Sequence, residues 1–382
     1  MFGQDGLRVL LNRLSILCVA WGLLAGCSNH GIVPPLPNSG PDSGLPECTP
    51  GDVACSCALV DDAGPPDGGT GPRVSTLVSL GGDLGLQDMT IEGGDLVVAA
   101  GIALERIDAD GGLQDLADCC DPAAHVPWTI LSGVSEDDAG AVYFSNWDLD
   151  GAQILVYRPD GGISAFSGAG PLGLVDGPPG SALFAAPHGI RWAPSFTWLF
   201  VSDLSAIRAI DRAGTAATLA GGYERGFADG PGSSARFSLP WGLAIGPDAG
   251  VFVSDYDNNR IRRIDWTGNV TTLAGNGKSG FADGTGGPNG TAEFAGPAGL
   301  AFDGNGNLLV ADSNNQRIRL VGPDGTTTTF AGNGLPCDID GPVSTASFRL
   351  PQAIAVAPWG DVYVGGISGA IRVIHVDGGS AP

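Results

Sequence analysis

Short apolar segments that are typical of buried β-strands recur six times along the chain. Successive segments begin 46 to 57 residues apart, and stretches rich in glycine, aspartate and asparagine separate them. The segments occupy residues 96–100, 142–146, 199–203, 251–255, 308–312 and 362–366. A repeat of this length with several short strands is typical of a β-propeller blade.

The unit from residue 240 to residue 275 shows the pattern within one repeat most clearly. Apolar stretches at residues 241–245, 251–254, 260–265 and 270–274 are divided by runs of Asp, Asn and Gly, which favour tight turns. Glycine and β-branched residues recur too often for a helix. The pattern therefore predicts four antiparallel strands in each unit.

This unit also resembles an NHL repeat. The resemblance lies in a Pro-x-Gly start, a Val-Ser-Asp end to the second strand and an Asn-Arg-Ile-Arg third strand, here Pro240-Trp241-Gly242, Val253-Ser254-Asp255 and Asn259-Arg260-Ile261-Arg262. Good copies begin at Pro187 and Pro297, and a weaker copy, with Gly366 in place of the aspartate, begins at Pro351. The units near residues 84–118 and 128–168 diverge from the motif.

These repeats predict an all-β domain over residues 73–378, a six-bladed propeller of four-stranded antiparallel blades. After residue 376 too little chain remains for a fourth strand in the last unit, whereas residues 74–78 match the fourth strand at residues 270–274. We therefore expect the N-terminal strand to complete the last blade and close the ring. A seven-bladed ring is the alternative, but no seventh segment is visible. A phenylalanine in each connector is expected to pack between neighbouring sheets.

The N-terminal segment has the features of an export signal. Arg8 and Arg13 precede an apolar run, and Leu24-Ala25-Gly26-Cys27 resembles the bacterial lipobox. The resemblance implies cleavage after residue 26 and lipidation of Cys27, which would anchor the protein in the outer membrane or at the cell surface. An ordinary signal peptide with an incidental cysteine is the alternative. Residues 27–72, rich in Pro, Gly and Asp, predict a tether, and residues 379–382 form a C-terminal tail.

Six cysteines remain outside the signal and the anchor. An oxidising compartment permits disulfides among them, and six cysteines allow fifteen pairings. The spacing of Cys55 and Cys57 does not match a zinc knuckle. The candidate disulfide cysteines are Cys48, Cys55, Cys57, Cys119, Cys120 and Cys337.

The net charge of −23 argues against a nucleic-acid partner, because a polyanion needs a lysine and arginine footprint. The simplest interpretation is that the acidity keeps an exported protein soluble. Calcium binding and recognition of a cationic partner are the alternatives. Residues 255–259 lack the central glycine and the terminal glutamate of a calcium loop.

Asp203, Asp255 and Asp312 recur at the end of the second strand. A ring of catalytic carboxylates would place acids in this way. A structural role is the favoured interpretation, because turn chemistry that repeats in blade after blade suits an aspartate that caps a turn and pairs with a nearby arginine. Arg260 and Arg317 begin the third strands, whereas Arg208 lies later in its own.

Propellers bind ligands where the turns of all blades converge at one end of the channel. The variable residue of each Pro-x-Gly is expected to line that end, with Tyr256 as a further contact aromatic. His188 is the best single histidine candidate, although no two histidines share a blade position. A core position for Trp241 is the other interpretation. The candidate binding residues are His188, Trp241, Ala298, Gln352 and Tyr256.

These patterns favour a monomeric, non-enzymatic module that binds a protein, peptide or glycan of the envelope or outside the cell. No nucleophile elbow or phosphate-binding glycine loop is present, and we expect no catalytic residue, no metal ligand and no cofactor. The alternative is a propeller enzyme, a lyase or lactonase with calcium or zinc in the central channel. Membrane contact is expected through the lipid anchor alone.

Overall fold

The computed structural model describes residues 71–80, 85–92, 94–101, 103–118, 131–147, 151–160 and 162–376. The predicted signal, Cys27 and the tether up to residue 70 lie outside this range, as does the C-terminal tail. The described residues form a six-bladed β-propeller in which every blade is an antiparallel sheet. The fold predicted from the repeat pattern is therefore confirmed. No helix within the described range is long and apolar enough to span a bilayer.

The blades follow one another along the chain, and in each blade the first strand lies nearest the central channel. Blade 1 consists of Leu86–Glu92, Asp95–Ala100, Ala103–Ile107 and Leu113–Asp118; blade 2 of Leu131–Glu136, Val142–Trp147, Ala152–Arg158 and Gly162–Gly170; and blade 3 of Pro187–Ala193, Trp198–Asp203, Ala206–Ile210 and Ala216–Gly221.

Blades 4 and 5 match the repeat motif best, and each carries a 3₁₀ turn after its second strand. Blade 4 consists of Pro240–Ile245, Val251–Asp255, Arg260–Ile264 and Val270–Ala274, with the turn Tyr256–Asn258; blade 5 consists of Pro297–Phe302, Leu308–Asp312, Arg317–Val321 and Thr327–Ala331, with the turn Ser313–Asn315.

Blade 6 joins the two ends of the described chain. Its strands Pro351–Val356, Val362–Gly366 and Ala370–His375 are followed in space by Arg73–Ser79, in which Val74 pairs with Ile374. The predicted closure by the N-terminal strand is confirmed. A short strand at Gly341–Pro342 adds a fifth member at the edge, which the sequence did not suggest. The hydrogen bonds across this sheet hold the ring shut.

The phenylalanine that recurs in the connectors packs between neighbouring sheets, as predicted. Phe184, Phe237, Phe294 and Phe348 are fully buried. Phe237 packs with Ile207 of blade 3 and Leu243 of blade 4, so it fills the space between two sheets. Burial of such a ring contributes roughly 2–3 kcal/mol, and every blade-to-blade contact of the NHL-like part repeats it.

Candidate functional site

The first strands of the blades converge at one end of the channel, which we call the channel mouth. Pro187 pairs with Asp203 and Pro240 pairs with Asp255, so each second strand ends where the first strand begins. The turns that follow the second strands therefore surround the start of the first strands. The variable residue of each Pro-x-Gly and the residue Tyr256 lie at this end.

Glycine is required beside the channel because neighbouring first strands approach closely. A Cβ atom on Gly189 would lie 2.3 Å from the carbonyl oxygen of Trp241, and one on Gly242 would lie 2.3 Å from that of Ala298. The serine of Val-Ser-Asp links the same strands. Ser202 Oγ accepts a hydrogen bond from Gly189 N (2.9 Å) and donates one to Trp241 O (2.7 Å). The backbone behind the mouth is thereby fixed.

Three of the predicted binding residues form one aromatic stack. The ring of His188 lies 4.4 Å from that of Trp241, with 17° between their planes. Tyr256 follows at 5.4 Å from Trp241 with a tilt of 34°. His188 is buried, whereas Trp241 and Tyr256 are each partly exposed. Trp241 and Tyr256 therefore offer aromatic surface, and the buried ring of His188 packs against Trp241.

Two charged residues lie beside the stack, one in a connector and one in a turn. Sequence reasoning did not predict either of them as part of the site. Arg225, in the connector before blade 4, lies with Nη1 3.7 Å from Asp257 Oδ2. Burial, and secondarily the Arg225 charge, lowers the pKa of His188 to about 4, so its imidazole is neutral near pH 7. Burial also raises the pKa of Asp257 and that of Tyr256. Arg225 carried no signal because the equivalent connector residue, Ser279, has different chemistry.

The other two predicted binding residues are less available. Ala298 is fully buried, so its methyl group is packed inside the ring. Gln352 is partly exposed, and its Oε1 atom is buried with no hydrogen-bond partner among the described residues. Binding by any of the five residues stays a prediction, but the structure brings His188, Trp241 and Tyr256 together, with Trp241 and Tyr256 partly exposed.

An ion pair joins two blades that are not neighbours in the ring. Arg191 of blade 3 donates to both carboxylate oxygens of Asp88 in blade 1, at 2.8 and 3.0 Å. Its guanidinium also donates to Val134 O of blade 2 at 3.1 Å. Asp88 stands where the next blades carry Gly133 and Gly189, and this departure from glycine is the signal that could have revealed the pair.

The repeated aspartates pair with arginine, as the favoured interpretation proposed, but the side chains of Asp255 and Asp312 do not cap the turns that follow them. Asp255 is fully buried; its Oδ1 accepts from Ser238 N (2.8 Å) and its Oδ2 pairs with Arg262 (2.7 Å). The partner is thus the third residue of the strand, not Arg260, which stacks on Phe227 at 3.8 Å. Burial raises the pKa of Asp203 and of Asp255 to about 6, and their arginine partners oppose the rise.

The described residues contain no group of three or more His, Cys, Asp or Glu side chains that could hold a metal ion. The oxygens of Asp255 in the calcium-like loop are engaged by Ser238, Asn258 and Arg262. Cys337 is buried, whereas Cys48, Cys55, Cys57, Cys119 and Cys120 lie outside the described residues. Disulfide pairing therefore stays a prediction.

Comparison with known proteins agrees with the repeat motif. The family model for the NHL repeat matches residues 237–264 and 294–319. This chain contains NHL repeats. The protein SUPPRESSOR OF QUENCHING 1, chloroplastic, of Arabidopsis thaliana is 37% identical over 175 residues, which are 42% of this chain and 16% of that protein. This chain thus matches only a small share of this relative's length.

Solved structures share the propeller fold with this chain. An auxiliary nutrient binding protein from Bacteroides thetaiotaomicron aligns with a TM-score of 0.62 at 14% identity, over 80% of this chain and 76% of that one. Virginiamycin B lyase from Staphylococcus aureus aligns with a TM-score of 0.52 at 16% identity, over 79% and 99%. Identities this low concern the fold alone, which serves both binding proteins and enzymes.

Proposed function

We propose that the chain is an envelope-anchored lipoprotein that presents its NHL propeller as a binding module for a protein, peptide or glycan. The observation that carries the proposal is the His188–Trp241–Tyr256 stack, which places two partly exposed aromatic rings on a rigid backbone at the channel mouth. Aromatic side chains that lose little conformational freedom anchor many interfaces. The fold shared with a nutrient binding protein is compatible with this role.

Replacement of Trp241 tests the binding role directly. We expect the intact protein, immobilised and exposed to envelope extract, to retain a partner whose affinity falls roughly 30-fold or more in the Trp241→Ala variant, because anchor residues contribute about 2 kcal/mol or more. The partner is identified by mass spectrometry and its affinity is then measured by titration with the purified partner.

Trp266 provides the matched control, because it is 86% exposed and lies in the turn after the third strand, away from the mouth. Trp266→Ala should leave the affinity unchanged. Equal losses in both variants, or full retention by Trp241→Ala, would reject the channel mouth as the binding site.

Anchoring rests on the resemblance of residues 24–27 to a lipobox. Several acyl chains on Cys27 would hold the protein in a membrane far more firmly than a single chain. We expect mass spectrometry of the mature N-terminus to find an acylated Cys27, and the Cys27→Ser variant to leave the membrane fraction. An unmodified mature terminus at another residue would contradict the proposal.

A propeller enzyme of the lyase or lactonase type is the second candidate, because a solved lyase has the same fold. Such an enzyme with a metal in its channel would contain the metal in stoichiometric amount after purification. Elemental analysis of the purified protein separates the two candidates.

A further inference from the structure

Three polar side chains meet on one face of blade 6, where the ring closes. Ser75 comes from the N-terminal strand, His375 from the third strand and Asp361 from the residue before the second strand. His375 lies opposite Arg73, and Ile374 lies opposite Val362. Ser75 is two residues beyond Arg73, so this register places all three side chains on the same face of the sheet.

The three side chains are joined in series by hydrogen bonds. Ser75 Oγ lies 3.1 Å from His375 Nε2, and His375 Nδ1 lies 3.1 Å from Asp361 Oδ2. Trp359 Nε1 donates to the same carboxylate oxygen at 3.3 Å. Since the carboxylate only accepts, the proton of the neutral imidazole resides on Nδ1, and Nε2 accepts the proton of the Ser75 hydroxyl.

Burial along this series has the order that a nucleophile and its base need. Asp361 is buried, with 7% of its surface exposed, whereas the His375 side chain is 20% exposed and Ser75 is partly exposed. The carboxylate therefore orients the imidazole from inside, and Ser75 is partly open to solvent, as a nucleophile needs to be.

The arrangement is not a product of the repeat. At the positions of Asp361 and His375, blade 4 has Gly250 and Asp265, and blade 5 has Asn307 and Gly322. The buried aspartate–arginine pairs, by contrast, recur in blade after blade. A structural need common to all blades therefore does not explain why blade 6 alone, among these three, combines serine, histidine and aspartate.

We propose that Ser75, His375 and Asp361 form a second site that hydrolyses small carboxylic esters. Ser75 Oγ bonds to the ester carbonyl carbon while its proton passes to His375 Nε2. The bond from that carbon to the alcohol oxygen then breaks, and the alcohol leaves with the proton from Nε2. A water molecule next attacks the acyl carbon and gives a proton to Nε2. The Ser75 Oγ–carbon bond breaks, Oγ regains that proton, and the acid is released.

Arg73 completes the site. It lies across the strand pair from His375 and two residues before Ser75, and its guanidinium has no hydrogen-bond partner among the described residues. Its positive charge stabilises the oxyanion that forms when Ser75 bonds to the carbonyl carbon. Asp361 acts as a positioning residue, because it fixes the ring of His375 without touching the substrate.

This site is independent of the proposed binding function. Asp361 precedes the strand that pairs Val362 with Val356, at the end of the blade opposite the channel mouth. Loss of partner binding in the Trp241 variant therefore does not bear on ester hydrolysis, and the two proposals fail separately.

A fluorophosphonate probe and p-nitrophenyl acetate test the site with the intact protein. We expect the probe to add covalently to Ser75, as located by peptide mass spectrometry, and the ester to be hydrolysed. Ser75→Ala should abolish both, and His375→Gln should lower both rates about 100-fold or more. Asp361→Asn should lower kcat and leave KM unchanged, since the ring is misoriented but ester binding is not affected.

Ser79→Ala is the matched control, because Ser79 is exposed in the same strand and makes no contact with His375. It should be labelled and active like the unchanged protein, and thermal unfolding confirms that each variant folds. The proposal would be overturned if the probe did not label Ser75 in the folded protein that carries no substitution. It would also be overturned if labelling of Ser75 proceeded at the same rate in a folded His375→Gln variant.

Discussion

His188 is almost entirely buried, and its imidazole is packed face to face against Trp241. Burial is the larger cause of its lowered pKa, and the Arg225 charge adds to it. In the unfolded chain the same side chain titrates near pH 6.5. The imidazole of His188 therefore stays neutral in the folded protein until the pH falls to about 4.

The pH dependence of stability follows from this difference. Between pH 6.5 and about 4 the unfolded chain binds a proton at residue 188 that the folded protein does not, so acidification favours unfolding. We expect the free energy of unfolding to fall, relative to the His188→Phe variant, by roughly 3 kcal/mol between pH 7.5 and pH 4. Phenylalanine keeps a ring beside Trp241 but does not titrate.

Denaturant unfolding of both proteins at each pH measures this difference. The raised pKa values of Asp203 and Asp255 act in the opposite direction, because those groups take up protons in the folded state as the pH falls through 6. They are present in both proteins and cancel in the comparison. A difference that is the same at pH 7.5 and pH 4 would show that His188 is not held neutral.

At the scale of the element, blades 3, 4 and 5 each contain a fully buried arginine. Arg208, Arg262 and Arg319 pair with the aspartate that ends the second strand and with the aspartate of the connector. Blade 6 has Gly366 where blades 3, 4 and 5 have the first aspartate, and a Cβ there would lie 2.6 Å from Arg349 O. Asp338 takes its place: it pairs with Arg372 and accepts from Arg349 N at 3.0 Å.

Removal of Asp338 should therefore destabilise blade 6. We expect Asp338→Ala to lower the free energy of unfolding by about 3 kcal/mol, because Arg372 stays buried with one carboxylate partner fewer and Arg349 N loses its acceptor. Asp324→Ala, at an exposed turn in blade 5, is the control and should cost much less than Asp338→Ala. Denaturant unfolding measures both variants. Similar losses of unfolding free energy would show that Asp338 does not take the place of the aspartate that blade 6 lacks.

At the scale of the whole molecule, two devices hold the ring. One is the N-terminal strand in blade 6, which joins residues nearly 300 positions apart in sequence through hydrogen bonds and the burial of Val74. The other is the Arg191–Asp88 pair, which joins blade 3 to blade 1 past blade 2. Both devices adjoin or include the divergent blades 1 and 2.

A double-mutant cycle tests the second device. Asp88→Ala should cost about 3 kcal/mol, because it leaves Arg191, whose side chain is 13% exposed, without its carboxylate partner. Arg191→Met should also destabilise the protein. The double variant should recover part of the loss, with a coupling of about 1–3 kcal/mol measured by denaturant unfolding. Strictly additive losses would mean that the pair does not link the blades.

The sequence by itself determined the blade count, the strand order and the closure, because alternating apolar segments and turn residues are local signals that repeat at a fixed spacing. It also placed Trp241, His188 and Tyr256 at one end of the channel, since the motif fixes where a first strand begins. It overlooked Arg225, Asp88 and Arg191, because each differs from the residue that other blades have at the same position of the repeat.

Only the tertiary structure decided which side chains meet. The stack on Trp241 joins residues of two blades, the Asp88–Arg191 pair spans three, and Ser75 reaches His375 only because the ring closes. The physical reason is that hydrogen bonds and ring contacts act over a few ångströms, whereas these partners are separated by tens to hundreds of residues along the chain. Spacing within a repeat carries no information about such contacts until the blades are packed side by side.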